Sequence, residues 1–200
     1  MSRLYGCEKK IIGITGGIAT GKSSFTAILK KNGYQVICAD ELVKEIYKLP
    51  KSITLVEEIS PNLVTNNSIN FSKLRELFFS DENIKRKIEN YIYAQLENFF
   101  TKASKNLSSP ILYDVPLLFE KKINEKIDAT VLIYATRDQQ IERLCRRDQV
   151  TNELANKILA NQLPIDQKKK LANLVIDNST TKDHLEENYQ KIFLPFIKKY

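Results

Sequence analysis

Apolar residues along this chain fall into short continuous runs, separated by segments whose apolar positions recur at helical spacing. The first run, "KKIIGIT" at 9–15, has lysines at its start and glycines after it, and predicts a buried strand. "KSSFTAILKK" at 22–31 places Phe25, Ile28 and Leu29 at helical spacing, with Asn32-Gly33 as the stop. "YQVICA" predicts a second strand ending at Asp40, and "DELVKEIYKL" a helix that stops at Pro50. Residues 51–70 are less regular and hold the polar turn cluster "TNNSIN". From Phe71 to Lys105 the pattern is helical again, with Ile84, Ile88, Tyr91, Ile92, Leu96 and Phe99 as its apolar stripe. "SSPILYDVPLLFE" and "DATVLIYA" predict the third and fourth strands, followed by a helix "DQQIERLCRRD" and a polar helical stretch at 152–162. "NLVID" predicts the last strand and "KDHLEENYQKIFLPFIKKY" a closing helix.

Strands that read as unbroken apolar runs, alternating with helices, imply a parallel sheet covered on both faces. The expected architecture is one α/β domain, 1–200, with residues 51–105 as a helical insertion. Its 200 residues suffice to bury a sizeable core. No apolar run approaches the roughly 20 residues that span a bilayer, and "MSRLYGCEKK" has no apolar segment of the secretory kind. Cys7, Cys38 and Cys145 are widely spaced and unpaired in sequence, which points to reduced thiols in the cytoplasm. One histidine, His184 in a polar stretch, and no cysteine cluster argue against a transition-metal centre. The formal charge of +7 fits either a binder of polyanions or a solvated basic surface, and charge alone leaves that open.

The glycines narrow the choice. Four of the chain's six lie in "GITGGIATGKSS", 13–24. Gly16 to Ser23 reads G-x-x-x-x-G-K-S between a predicted strand and a predicted helix, the context a phosphate-binding loop requires. Glycines admit positive φ and let backbone N–H groups approach phosphate oxygens, and the helix adds its positive N-terminal end. Gly17, Ala19, Thr20, Gly21, Lys22, Ser23 and Ser24 are therefore the candidate ATP-binding residues. Lys22 reaches the β- and γ-phosphates and the Ser23 hydroxyl ligates Mg²⁺. No glycine follows position 33, so the DxxG segment of a GTPase cannot occur, and a guanine-reading NKxD segment is also missing.

A motor ATPase would usually need a larger chain or an assembly, and the sequence alone does not exclude one; for a small-molecule kinase, each role has a candidate. Asp40 ends the second strand, where ligands of open α/β sheets bind, and either accepts an acceptor hydroxyl's proton or caps the next helix. Asp114, ending "ILYD", supports Mg²⁺ or is an ordinary turn aspartate before Pro116. Arg143 and Arg147, four apart with Arg146 beside them, share a helix face and either bind phosphate or form a solvated helix end. The phosphate loop favours phosphate binding, because charge developing on a transferred phosphoryl group calls for arginine. Residues 143–170 then form a candidate lid, although the lysines at 168–170 alone would read as a solvated face. A nucleic-acid binder would need aromatics interleaved with cations, and Tyr91, Phe99, Phe193 and Phe196 fall on apolar helical faces instead.

In the order "GITGGIATGKSS", "VICADELV", "LRELFF", "DVPLLFE", "RLCRRD" and "LVIDN", the chain resembles the dephospho-coenzyme A kinases over nearly its whole length. The resemblance implies transfer of the γ-phosphate of ATP to the ribose 3′-hydroxyl of dephospho-coenzyme A, the last step of coenzyme A synthesis. It implies a three-layer P-loop fold with about five parallel strands, a helical acceptor region and a lid. The family's base falls on Asp40 and its lid arginines on Arg143 and Arg147. Arg75 matches a substrate-side arginine, Pro116, Leu117, Leu118 and Phe119 would line the acceptor pocket, and Asn178 would contact the nucleotide. Cys38, Phe71, the pair Tyr93-Ala94 and Asn173 depart from the residues common in the family.

Overall fold

Every strand of the main sheet comes from one of the apolar runs, trimmed to the part that pairs. The computed structural model describes residues 3–179 and 182–200. Its strands are β1 (Ile11–Gly16), β2 (Val36–Cys38), β3 (Val64–Thr65), β4 (Ser68–Ile69), β5 (Ile111–Asp114), β6 (Ala129–Tyr134) and β7 (Leu174–Asp177). Its helices are α1 (Lys22–Lys31), α2 (Ala39–Tyr47), α3 (Pro50–Ile59), α4 (Phe71–Ser80), α5 (Glu82–Ser104), α6 (Arg137–Asp148), α7 (Asn152–Leu159), α8 (Ile165–Leu171), α9 (Lys182–Asn188) and α10 (Leu194–Ile197). A single turn of π-helix, Tyr189–Phe193, joins the last two. The chain divides into two compact units, Met1–Ala39 with Asn106–Tyr200, and Asp40–Lys105.

The first unit holds the five-stranded sheet in the order β2-β5-β1-β6-β7. Each neighbouring pair is parallel. Register brings the carboxyl ends together: Asp114 of β5 stands beside Ile14 of β1 and beside Cys38 of β2. One sheet face, with Ile12, Ile14, Leu112, Val131, Ile133 and Ile176, packs on Phe25 and Leu29 of α1 and on Leu185, Tyr189, Phe193 and Ile197 of the closing helices. Phe25 and Phe193 meet edge to face at 5.4 Å. Phe25 is fully buried, and such a side chain contributes about 1.5–3 kcal/mol relative to an exposed one.

On the other face Leu132 and Tyr134 pack on Ile165 of α8. Gly13, in the middle of β1, allows a closer approach there: a Cβ would lie 2.3 Å from Leu118 Cδ1 and 2.6 Å from Ile127 Cδ1. The segment after β5 is thereby pressed onto the central strand. "PLLFE" is accordingly not the continuation of a strand, because β5 ends at Asp114 and the chain turns away to cover the sheet.

In the second unit the sequence pattern misses one helix. Pro50 ends nothing by itself; α2 has already stopped at Tyr47, and Pro50 opens α3 at its first position, where its missing N–H costs no hydrogen bond. "TNNSIN" is the turn of the β3–β4 hairpin, with Asn66 at φ 51° and Asn67 at φ 58°. The stretch 71–105 breaks at Asp81, whose Oδ1 accepts from Asn83 N at 2.8 Å and Ile84 N at 3.1 Å and so caps α5. The stripe of α5 buries Ile88, Ile92, Leu96 and Phe100, so Phe100 takes the inward place expected for Phe99. Among the described residues, no helix is long and apolar enough to cross a membrane.

Candidate active site

The central strand β1 runs directly into the glycine-rich loop and out into α1. Two loop residues adopt left-handed backbone, Ala19 at φ 62° and Gly21 at φ 92°. Gly21 is the N-cap of α1 and supplies no side chain to its amides, and the helix has no acidic residue in its first turn. The amides of that turn therefore lack a side-chain acceptor from the N-cap and form the positive end of the helix dipole. Ser23 and Ser24 are exposed there. Thr20 closes the loop by donating its hydroxyl to Gly17 O at 2.9 Å.

Lys22 and Asp114 meet at the centre. Lys22 Nζ lies 2.5 Å from Asp114 Oδ1, and Thr26 Oγ1 donates to Asp114 Oδ2 at 3.2 Å. Both carboxylate oxygens are thus engaged from α1, one turn apart. Asn178, one residue past β7, donates its side-chain amide to Thr20 O at 2.8 Å. A Cβ on Gly21 would lie 2.1 Å from that same Nδ2. Arg143 Nη2 donates to Asn178 O at 2.8 Å. Thr20, Gly21, Arg143 and Asn178 are therefore one cluster, although they lie far apart in sequence.

Arg147 is outside that cluster. Its Nε and Nη2 donate to its neighbour Asp148 at 2.6 and 2.9 Å, and it is exposed. The hydrogen bond to Asp148 raises the Arg147 pKa above its ordinary value, and the same bond lowers that of Asp148. Pro116 and Leu117 are half-buried, whereas Leu118 and Phe119 are buried, Leu118 beneath Gly13. Asp40 and Arg75 belong to the second unit. Asp40 is exposed in the first turn of α2, after Ala39 has already opened the helix, so it sits inside the turn instead of preceding it. Arg75 is exposed on α4, and Phe71 at the start of that helix meets Tyr47 edge to face at 5.2 Å. Asn173 accepts from Thr130 N and Thr130 Oγ1, each at 2.9 Å, and joins the start of β7 to β6.

Three residues with structural claims on the loop escape the sequence reading. Gln140 Nε2 donates to Ile18 O at 2.6 Å, and Gln162 Oε1 accepts from Ile18 N at 3.1 Å, so the loop's tip is gripped from both sides. Lys168, which its neighbours Lys169 and Lys170 place in a solvated lysine run, is wholly buried. Its place on the inward face of α8, three residues after buried Ile165, follows the helical spacing within "LPIDQKKKL".

A parallel sheet covered on both sides, with its central strand feeding through a glycine-rich loop into a helix that opens at Lys22 without a side-chain cap, defines a P-loop nucleotide-binding protein. The family model for dephospho-CoA kinase matches residues 10–184. A dephospho-CoA kinase from Enterococcus faecalis is 34% identical over 193 residues, 91% of this chain and 94% of the relative. One from Streptococcus pneumoniae is 36% identical over 183 residues, 88% of this chain and 90% of the relative. The crystal structure of a Thermus thermophilus protein superimposes with a TM-score of 0.86 at 26% identity, covering 96% of this chain and 99% of the other. The chain belongs to the dephospho-CoA kinase family.

Proposed function

We propose that this kinase transfers the γ-phosphate of ATP to the ribose 3′-hydroxyl of dephospho-coenzyme A, completing coenzyme A. The observation that carries the reading is the loop 16–23, with Gly21 in left-handed backbone at the head of α1 and Lys22 behind it, in a chain matched to this family from residue 10 to 184.

In this reading the amides of Gly17, Ala19, Thr20, Gly21, Lys22, Ser23 and Ser24 hold the donor phosphates, and Asn178 and Arg143 bound the nucleotide side of the loop. Lys22 exchanges Asp114 for phosphate oxygens as ATP enters. Asp40 accepts the proton of the 3′-hydroxyl while its oxygen bonds to the γ-phosphorus. The bond from that phosphorus to the β–γ bridging oxygen breaks, and ADP leaves. Arg143 and Arg147 offset the charge spread over the transferred group. Arg75, Pro116, Leu117 and Leu118 serve the acceptor, Leu118 by packing the segment onto β1. The donors fit Mg²⁺, a hard cation held largely by substrate phosphates: Ser23 offers a hydroxyl and Asp114 a carboxylate. No cluster of three or more His, Cys, Asp or Glu able to hold a metal occurs among the described residues. Bound Mg²⁺ neutralises charge on the phosphoryl oxygens. The partners in this reading are small molecules, with neither nucleic acid nor membrane among them, and the enzyme is cytoplasmic.

A coupled assay for ADP release, with dephospho-coenzyme A set against nucleoside monophosphates, tests the reading. Turnover of dephospho-coenzyme A is expected; none with it and brisk turnover of a nucleotide would overturn it. Asp40→Asn should slow transfer and leave ATP affinity nearly intact. A collapse of ATP affinity instead would make Asp40 structural.

A further inference from the structure

We infer that Lys168 is a positioning residue for phosphoryl transfer, because its buried ammonium ties the first glycine of the phosphate loop to both ends of the segment 116–120. The inference rests on the kinase reading above.

A lysine is almost never fully buried, since its ammonium must recover in the protein the hydration it loses. Lys168 is 0% exposed and has three donors. They find Glu120 Oε1 at 2.8 Å, Pro116 O at 3.3 Å and Gly16 O at 3.4 Å. The two carbonyl contacts are the longer ones, but they are the informative ones. A trans peptide is planar, with its C=O and N–H pointing opposite ways. Holding Gly16 O therefore aims the N–H of Gly17 away from Lys168, and holding Pro116 O does the same for the N–H of Leu117. One ammonium thus fixes two peptide planes, one leading into the donor loop and one into the acceptor segment.

The surrounding bonds extend the anchor. Thr15 Oγ1 also donates to Pro116 O, at 3.1 Å. Glu120 Oε1 accepts from Leu163 N at 2.9 Å, and the adjacent Gln162 holds Ile18 N. Glu120 Oε2 is buried with no partner among the described residues, so this carboxylate depends on Lys168 and Leu163. A charge pair that served stability alone could cross-link any two elements. This one joins the three segments whose relative placement sets how donor and acceptor meet.

Misplacement of about 1 Å at such a joint can cost on the order of 10²-fold in rate. The test separates that loss from simple destabilisation. Lys168→Met removes the ammonium but strands Glu120; the double variant Lys168→Met/Glu120→Gln also removes the buried charge and keeps an acceptor for Leu163 N. The double variant should regain most of the melting temperature that Lys168→Met loses. Its kcat with ATP and dephospho-coenzyme A should stay down by roughly 10²-fold, with each KM within about threefold of wild type. Recovery of kcat together with melting temperature would overturn the inference, as would a raised KM at unchanged kcat. Should the double variant fail to fold, Lys168→Met alone decides, assayed well below its melting temperature: a kcat down by roughly 10²-fold with each KM within about threefold upholds the role, and a kcat within about threefold of wild type rejects it. A wild-type chain inactive with dephospho-coenzyme A would overturn the functional reading and this inference together, whereas active wild type with unimpaired variants would overturn the inference alone.

Discussion

Lys22 and Asp114 neutralise each other across 2.5 Å, with side chains only 15% and 5% exposed. The residue whose spacing assigns it to the phosphates and the residue whose strand-end place assigns it to the metal are thus each other's partner. A pair held this closely has to respond as a unit. Lys22→Ala should lower kcat/KM by about 10²–10³, the cost of losing one preorganised donor to developing charge. Because Lys22→Ala and Asp114→Asn break the same contact, their effects on stability should not add. Urea unfolding of the two single variants and the double should give a coupling of about 0.5–3 kcal/mol, and strict additivity would show the pair to be energetically idle.

Gly21 and Gly33 make a matched comparison. Both have positive φ, 92° and 84°, so an alanine at either costs about 1–2 kcal/mol of backbone strain. Only at Gly21 does the new Cβ also strike a neighbour, Asn178 Nδ2; at Gly33 nothing lies within 4 Å. Gly21→Ala should therefore weaken nucleotide binding by about tenfold or more, roughly 1.4 kcal/mol, while Gly33→Ala lowers the melting temperature and leaves the nucleotide Kd unchanged. Calorimetric titration with ATP distinguishes them.

Arg147 is held by Asp148 through two hydrogen bonds on an exposed helix end. An exposed pair of this kind binds weakly, so phosphate can draw the guanidinium away. Arg147→Ala should reduce kcat by roughly 10³–10⁵, as the loss of a transition-state arginine does. Asp148→Asn frees the arginine without removing it and should change kcat by less than about threefold. Equal losses in both variants would mean that the pair, and not the arginine, matters.

These sites differ in how far the sequence betrays them. The loop was legible because its chemistry needs glycine, lysine and serine at fixed spacing, and the strands because parallel strands buried on both faces must be apolar throughout. Asn66-Asn67 announced a turn, and the structure makes it a hairpin. The pattern hides α3 because Pro50 signals a stop there, although proline at the first helical position is equally a start. It hides the cap at Asp81 because a continuous apolar stripe masks a one-residue break. Gln140 and Gln162 leave no mark in local pattern, since each acts through backbone atoms of a segment far away in the chain; the spacing of Lys168 from Ile165 marks its inward face, but not its partner Gly16 O. Arg143 was legible as a phosphate candidate, but its bond to Asn178 O depends on where β7 ends.

Asp128 offers a test of stability that leaves the candidate site untouched. Its Oδ2 accepts from Arg3 Nη2 at 2.6 Å and Ile11 N at 2.8 Å, and Lys10 Nζ lies 3.0 Å from Oδ1. The carboxylate thus ties the amino-terminal segment to the first residue of β1. Burial pushes its pKa up, but the Ile11 amide, Lys10 and Arg3 together outweigh burial and hold it below the ordinary value. A group whose pKa is depressed on folding adds stability above its unfolded value, about 3.9, and loses it as pH falls through the folded value. Asp128→Asn should therefore be less stable than wild type at pH 7, by about 1.5–3 kcal/mol for hydrogen bonds to a charged group, with the gap closing below about pH 4. Salt should narrow the gap only in part, because Arg3 and Lys10 are 41% and 50% exposed and screened while the Ile11 amide is not. Unfolding midpoints of both proteins across this pH range decide the matter: a gap that stayed constant into acid would mean the Asp128 charge contributes nothing to folding.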